Sequence, residues 1–162
     1  MLSQTAAWVF LIGAAPIAIW VAWSDMKYMR IPNKAVLALA AVFIATGLFV
    51  LPQSAYLWGL GLGAIVLVIT FLMSSMGLIG AGDAKYAAAM APFFVGANAG
   101  ALFVIAASTI LAAFVAHRVL KNTPFRSATA DWASWEHAKF PFGLPMSGTL
   151  LFYLFSPILA AI

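Results

Sequence analysis

The stretch GLGLGAIVLVITFLMSSMGLIGAGDAK, residues 59–85, places a long uncharged segment directly before an aspartate and a lysine. Its first part is apolar and belongs to a segment long enough to span a membrane, which requires about 20 mostly apolar residues. Its second part is rich in small residues and ends near Asp83, one of only four acidic residues in the chain. A carboxylate close to hydrocarbon is costly, so Asp83 is expected to have a specific role.

The composition indicates the same environment for the whole chain. Hydrophobic residues make up 65% and charged residues 7% of the 162 residues, whereas ordinary soluble domains are about 25% charged. This favours an all-α integral membrane protein in which residues 1–162 form a single membrane-embedded domain. The net charge of +4 does not indicate a nucleic-acid partner, because the basic residues lie between apolar runs. The absence of cysteine excludes disulfides, thiolate metal sites and a cysteine nucleophile.

Six apolar segments are predicted to be transmembrane helices. They cover approximately Ala6–Trp23, Ala35–Leu51, Tyr56–Met73, Asp83–Val95, Ala101–His117 and Pro141–Ile162. Six crossings put both termini on one side of the membrane, and all eight lysines and arginines then lie on the other side. Because basic residues are enriched in cytoplasmic loops, both termini are predicted to lie outside. The same charge distribution is the reason for counting the short fourth segment as a crossing.

Two features of these segments each have two interpretations. Gly59 and Gly63 are four residues apart, which suits either helix packing within the chain or a contact between two copies. The polar loop of residues 121–139 contains Trp132 and Trp135. These rings can lie on a short helix in the membrane interface, or they can anchor a solvated loop.

Asp25 and Asp83 form the strongest candidate site. Asp25 follows the first predicted helix and Asp83 begins the fourth, so both carboxylates are expected at the same membrane face. Two close carboxylates share one proton, because both cannot ionise cheaply. One can then activate water as a base while the other protonates the carbonyl oxygen or the leaving amine, without a metal or other cofactor. Either aspartate considered alone can also be a helix cap or a solvated loop residue.

The neighbours of Asp83 fit such a site. Gly80 and Gly82 lack a Cβ, so an extended peptide could approach the backbone closely. The position of Asp83 near a helix N-terminus favours its charged form. Lys85 and Lys27 each follow an aspartate by two residues. Lys85 is assigned to the site, and Lys27 is assigned to anchoring at lipid headgroups.

Other proteolytic chemistries fit the sequence less well. Neither His117 nor His137 belongs to the H-E-x-x-H pattern of zinc proteases. Both histidines lie at or beyond helix ends, so Ser147 has no base within the bundle. Asp131 and Glu136 lie beside basic residues in the polar loop and are expected to be solvated.

The segments around both aspartates resemble those of type IV prepilin peptidases. GAGDAK, residues 80–85, is similar to the family's G-x-G-D-x-K motif, and DMKYMRIPN, residues 25–33, is similar to its aspartate followed by Ile-Pro-Asn. FPFGLPMSG, residues 140–148, is similar to the start of the family's last helix. The resemblance implies that Asp25 and Asp83 are the catalytic aspartates. The motif positions that would support them are Gly80, Gly82, Lys85, Ile31, Pro32 and Asn33.

The resemblance also implies a reaction and a substrate. The reaction is removal of the leader peptide from a prepilin at the cytoplasmic face of a bacterial inner membrane. The substrate partner is a short basic leader followed by a hydrophobic helix, and lipid surrounds the enzyme. Longer members carry a cysteine-containing domain linked to N-methylation. A chain without cysteine resembles the short form of tight-adherence (Flp-type) pilus systems, so peptidase activity without methyltransferase activity is expected.

Two functions of other classes remain as alternatives. A proton-coupled transporter would use Asp25 and Asp83 as proton sites, although internal repeats or interrupted helices in corresponding halves, which are common in carriers, are not visible. A non-catalytic scaffold subunit of a secretion or pilus system would require neither aspartate. Replacement of the two aspartates separates these alternatives from a peptidase.

Overall fold

The computed structural model describes residues 2–159, and within that range the chain forms helices and no strand. The α-helices are α1 (Gln4–Tyr28), α2 (Asn33–Val50), α3 (Gln53–Ser75), α4 (Ala81–Met90), α5 (Ala99–Leu120), α6 (Pro124–Ala128) and α7 (Gly143–Leu159). Short 3₁₀ turns cover Ala91–Phe94 and Ala133–Trp135. The predicted all-α class is therefore confirmed for the described residues.

Four of these helices, α1, α2, α3 and α5, are long and apolar enough to cross a membrane. The apolar helix α7 is shorter, with 17 residues. Helix α4 has 10 residues, and a helix of that length, about 15 Å, cannot span a hydrocarbon core of about 30 Å by itself. The protein is thus a helical membrane protein with four candidate spans, while six crossings with both termini outside remain a prediction. The predicted end of the last helix at Ile162 lies outside the described residues.

The chain turns sharply between α1 and α2, close to Asp25. Met29 ends α1 in the left-handed conformation, with φ of 50°, and its N–H donates to the Asp25 carbonyl at 2.9 Å. Ile31 then precedes Pro32, and a residue before proline avoids the helical conformation. The Ser24 hydroxyl donates to the Arg30 carbonyl at 2.8 Å. These local interactions turn the chain from the end of α1, which contains Asp25, into the start of α2.

The core contains a cluster of three fully buried phenylalanines from different elements. The ring centroid of Phe10 in α1 lies 5.6 Å from that of Phe43 in α2 and 5.1 Å from that of Phe93 in the 3₁₀ turn after α4. Phe43 and Phe93 are 5.3 Å apart. Such aromatic pairs contribute about 0.5–1.5 kcal/mol each beyond their burial. The cluster therefore fixes the end of α4 against α1 and α2.

Gly59 and Gly63 allow α3 to approach this region closely. A Cβ at Gly59 would lie 2.6 Å from the Phe43 ring, and a Cβ at Gly63 would lie 3.0 Å from Pro92 and 3.3 Å from the Ala88 carbonyl oxygen. Contacts below 3.0 Å would force atoms to shift. The glycine pair thus serves helix packing within the chain, as one of its two interpretations predicted.

Polar contacts also hold α4 between its neighbours. The Thr70 hydroxyl of α3 lies 3.1 Å from the Ala84 carbonyl oxygen of α4 and 2.7 Å from the Val66 carbonyl oxygen of its own helix, so these two acceptors share its one proton. On the other side, the hydroxyls of Tyr86 in α4 and Ser147 in α7 lie 3.0 Å apart and share a hydrogen bond. Both hydroxyl groups of this second pair are buried. These contacts therefore connect the short helix α4, which cannot span the membrane alone, to the longer helices α3 and α7.

The segment between α5 and α7 is folded around Trp135. This side chain is 1% exposed and stacks on His117 of α5, with ring centroids 4.9 Å apart. Trp132 stacks on the same indole at 6.2 Å, and Lys121 donates to the Trp135 carbonyl at 2.6 Å. Neither tryptophan lies on α6, and Trp135 is enclosed by the segment and α5. Packing between aromatic rings therefore determines the conformation of this part of the loop. A short helix carrying both Trp132 and Trp135, which was one of the two interpretations of the sequence, is not formed within the described residues.

Candidate active site

Asp25 lies in the last turn of α1 and is 5% exposed. The backbone N–H of Gly143, the first residue of α7, donates to its Oδ2 at 2.7 Å. The first N–H groups of a helix have no partner within the helix, and the positive end of the helix dipole favours an anion. A Cβ at Gly143 would lie 3.0 Å from both Cβ and Oδ2 of Asp25. The start of α7 therefore approaches this carboxylate as closely as a residue without a side chain permits.

Asp83 lies in the first turn of α4 and is partly exposed. Burial raises the pKa of its carboxyl above the ordinary value, while the Gly80 N–H and the Lys139 ammonium act in the opposite direction. A Cβ at Gly80 would lie 2.6 Å from Oδ2 of Asp83. This arrangement resembles half of a capping box, in which an acidic side chain in the first turn reaches back to the N-cap N–H.

Asp25 and Asp83 line one cavity of about 490 Å³. Its wall is formed by the end of α1 and the turn after it, the start of α4, and the residues that precede α7. Besides the two aspartates, it is lined by Met29, Arg30, Ile31, Asn33, Gly80, Ala81, Gly82, Lys85, His137, Lys139, Phe140 and Phe142. The charge of Asp83 acts on Asp25. The volume lies in the range of about 300–1,000 Å³ that is usual for ligand sites.

Most of the predicted supporting residues surround this cavity. Lys85 donates to the Asn33 side-chain oxygen at 3.4 Å, which joins the segment after α1 to α4. A Cβ at Gly82 would lie 3.3 Å from Cβ of Ile31, so the same two segments are also in apolar contact. Pro32 caps the start of α2 and lines a neighbouring depression rather than this cavity. The two motifs, 52 residues apart at Asn33 and Lys85, thus form one structural unit.

Lys27 forms an ion pair with a residue that does not line the cavity. Its Nζ lies 3.0 Å from Oδ2 of Asp131 in the segment between α5 and α7. The hydrogen bond from Lys27 holds the pKa of Asp131 below its ordinary value of 3.8. This ion pair connects α1 to the folded segment that continues to the cavity. The sequence pattern assigned Lys27 to lipid headgroups and Asp131 to solvent. It did not predict their ion pair, because this contact forms only when the segment between α5 and α7 packs near α1.

The residues that precede α7 were missed by sequence reasoning. His137, Lys139, Phe140 and Phe142 line the cavity, and Gly143 binds Asp25. The resemblance of FPFGLPMSG to the family's last helix was the available signal for Gly143. No local pattern places His137 or Lys139 at the cavity, because the lining residues outside their own segment, from Asp25 to Lys85, lie more than 50 residues away in the chain.

The site contains two carboxylates and several basic side chains around one cavity. Within residues 2–159, histidine, aspartate and glutamate form no group of three that could hold a metal ion. The chemistry available from these side chains is proton transfer to and from water or a polar substrate group. The fold and the site thus define a helical membrane protein with a pair of carboxylates at one end of its bundle.

The family model described as the type IV leader peptidase family matches residues 10–116. The match covers more than half of the chain, so the chain belongs to this family, and the family makes it a leader peptidase-like protease. Comparison with curated proteins gave no match, and comparison with solved structures gave none. The matched range contains Asp25 and Asp83 and ends before Lys139 and Gly143.

Proposed function

We propose that this protein is an aspartic endopeptidase that removes the leader peptide from Flp-type prepilins without N-methylation. Asp25 and Asp83 are its catalytic residues, and the reaction takes place at the cytoplasmic face of a bacterial inner membrane. The observation that carries the proposal is that both aspartates lie in the family-matched range and line one cavity. The substrate supplies a basic leader and a hydrophobic helix that remains in the membrane.

The two carboxylates carry one proton between them when the substrate binds. The ionised carboxylate takes a proton from water as the water oxygen bonds to the scissile carbonyl carbon. The protonated carboxyl gives its proton to the carbonyl oxygen, which produces a neutral tetrahedral diol. A proton then passes to the leaving nitrogen, the C–N bond breaks, and one hydroxyl proton of the diol returns to the dyad. Atoms and charges balance without any further reactant.

The surroundings of the pair support this chemistry. Gly80 and Gly82 line the cavity beside Asp83, and Gly80 is exposed, which suits the close approach of an extended peptide. Arg30, Lys85 and Lys139 line the same cavity, where nearby cations favour the ionised form of a carboxylate. Six crossings, outside termini and a single domain over residues 1–162 belong to the same proposal, since they put the basic loops and the cavity on the cytoplasmic side.

The decisive experiment is co-expression with a candidate prepilin and measurement of leader removal on a gel. Asp25→Asn and Asp83→Asn are each expected to abolish cleavage while the protein accumulates normally in the membrane. Glu136→Gln is the matched control, because it makes the same carboxylate-to-amide change at an exposed position that does not line the cavity, and it should leave cleavage intact. Full processing by either of the first two variants would exclude the aspartic mechanism and favour a transporter or a scaffold.

A further inference from the structure

The surroundings of the two aspartates are not equivalent. Asp25 is 5% exposed and enclosed by the start of α7, whereas Asp83 is partly exposed and also borders a second cavity of about 410 Å³. This second cavity lies between the turn after α3 and the start of α7. Four residues line both cavities, namely Gly80, Asp83, Lys139 and Phe142. Asp83 and Lys139 therefore lie together where the two cavities meet.

A glycine at the start of a helix lies beside each of the two carboxylates. The Gly143 N–H donates to Asp25, and the Gly80 N–H lies against Asp83. Each contact is made at the start of a helix, where backbone donors and the helix dipole favour a carboxylate. Hydrogen bonds to a carboxylate favour its charged form. The two aspartates also differ in their burial and in the charged groups around them.

The charged and titratable groups that face Asp83 come from every element around the cavity. They are Asp25 of α1, Arg30 of the following turn, Lys85 of α4, and His137 and Lys139 of the segment before α7. Among the cations, Lys139 is the one that lowers the pKa of Asp83, while Lys85 is engaged by Asn33. From the same segment, His137 acts on Asp25 and Lys139 acts on Asp83. The ammonium of Lys139 thus favours ionisation of Asp83 in particular.

Packing of the segment before α7 restricts the position of Lys139. Its backbone N–H donates to Nδ1 of His137 at 3.0 Å. Upstream, Trp135 is buried against His117, and Asp131 pairs with Lys27 of α1. The segment is therefore fastened to α5 and to α1 before it reaches the cavity. It lies outside the range matched by the family model, which ends at residue 116.

We propose that Lys139 is a positioning residue that keeps Asp83 ionised, so that Asp83 is the base that activates water. Asp25 carries the shared proton and is the acid that protonates the carbonyl oxygen. This assignment rests on the proposed function for its catalytic meaning. The effect of the Lys139 ammonium on the ionisation of Asp83 does not require a substrate, so it can be measured in the protein alone.

The first test measures ionisation directly and does not require activity. The chain contains three aspartates, so carbon NMR of protein labelled at the aspartate carboxyls gives three resonances that single Asp→Asn variants assign. In the full-length protein in detergent, Asp83 is expected to ionise at lower pH than Asp25. Lys139→Met should raise the midpoint of Asp83 by roughly half a pH unit, a modest shift because the ammonium is exposed to solvent. Lys139→Arg should retain the original midpoint.

Salt and a matched variant provide the controls. Higher ionic strength should raise the midpoint of Asp83 in the unaltered protein and change it less in Lys139→Met, because salt screens exposed charges. Lys34→Met removes an exposed cation that does not line the cavity and should leave the midpoint unchanged. An unchanged midpoint in Lys139→Met, or ionisation of Asp25 before Asp83, would overturn the assignment.

The second test follows prepilin cleavage as a function of pH. Lys139→Met should move the acidic limb of kcat/KM to higher pH by the same amount as the NMR midpoint, with little change on the plateau. Lys139→Arg should restore the limb, which a purely structural role would not predict. If the unaltered protein cleaves no prepilin, the proposed function fails while the NMR titration still reports on Lys139. If it cleaves but the limb does not move, only the assignment of roles fails.

Discussion

Glycine residues set the environment of both carboxylates. At Gly80 and Gly143, the space that a Cβ would occupy is already close to a carboxylate oxygen, 2.6 Å from Asp83 and 3.0 Å from Asp25. The backbone N–H can approach a carboxylate this closely only because no side chain intervenes. Both glycines therefore have a packing reason to be glycine that is independent of backbone conformation.

Gly143→Ala is expected to lower the rate of prepilin cleavage by roughly 10- to 100-fold, because displacing a catalytic group by a fraction of an ångström is costly. The added methyl would press on Asp25, and a buried aspartate has little room to move. The measurement is the cleavage rate at equal protein levels in the membrane. Gly148→Ala in the same helix is the control, since its Cβ would meet Thr109 at an ordinary 3.4 Å. Equal rates for both variants would show that the Gly143 contact is dispensable.

Among the elements, α4 depends most on its neighbours. It has 10 residues, begins with the Gly80–Asp83 contact and ends in a 3₁₀ turn packed on the core. An isolated helix of this length is marginal, and most of its stability comes from tertiary packing. Thr70 of α3 and Ser147 of α7 hold it through hydrogen bonds. The position of Asp83 thus depends on the contacts of α4 with two other helices.

The Tyr86–Ser147 hydrogen bond is expected to stabilise this arrangement measurably. Tyr86→Phe leaves the Ser147 hydroxyl without this partner and should lower the free energy of unfolding by about 0.5–1.5 kcal/mol. Unfolding in a detergent titration measures the change for Tyr86→Phe, Ser147→Ala and the double variant. The double variant should cost less than the two single changes together, because they share one interaction. Strict additivity would mean that the two hydroxyls do not interact.

The whole molecule combines long apolar helices with short helices whose stability depends on packing against them. Helices α3 and α5 are mostly exposed on the outside of the described chain, as expected for surfaces that face lipid. The cavity lies where the end of α1, the start of α4 and the start of α7 meet. A site built from three chain regions requires that all of them reach the same membrane face. The distribution of basic residues predicts the cytoplasmic face.

A reporter fused after Ile162 tests this topology. With six crossings and basic loops inside, the reporter is expected to show an outside location. A second fusion within the polar segment of residues 121–139 should report inside and serves as the internal control. An inside signal from the C-terminal fusion would contradict the six-crossing topology and would change the side assigned to the cavity.

Composition and motifs alone predicted the all-α membrane class and most helix positions, and they selected Asp25 and Asp83, which line one cavity, as candidate catalytic residues. They could do so because hydropathy and charge act along the chain, and each motif is contained in a few consecutive residues. The partner of Asp25 is Gly143, 118 residues away, and that of Lys27 is Asp131. Lys139 likewise lies at the cavity through the fold of the segment after α5. These contacts follow from how helices pack, because packing joins residues that no local pattern relates.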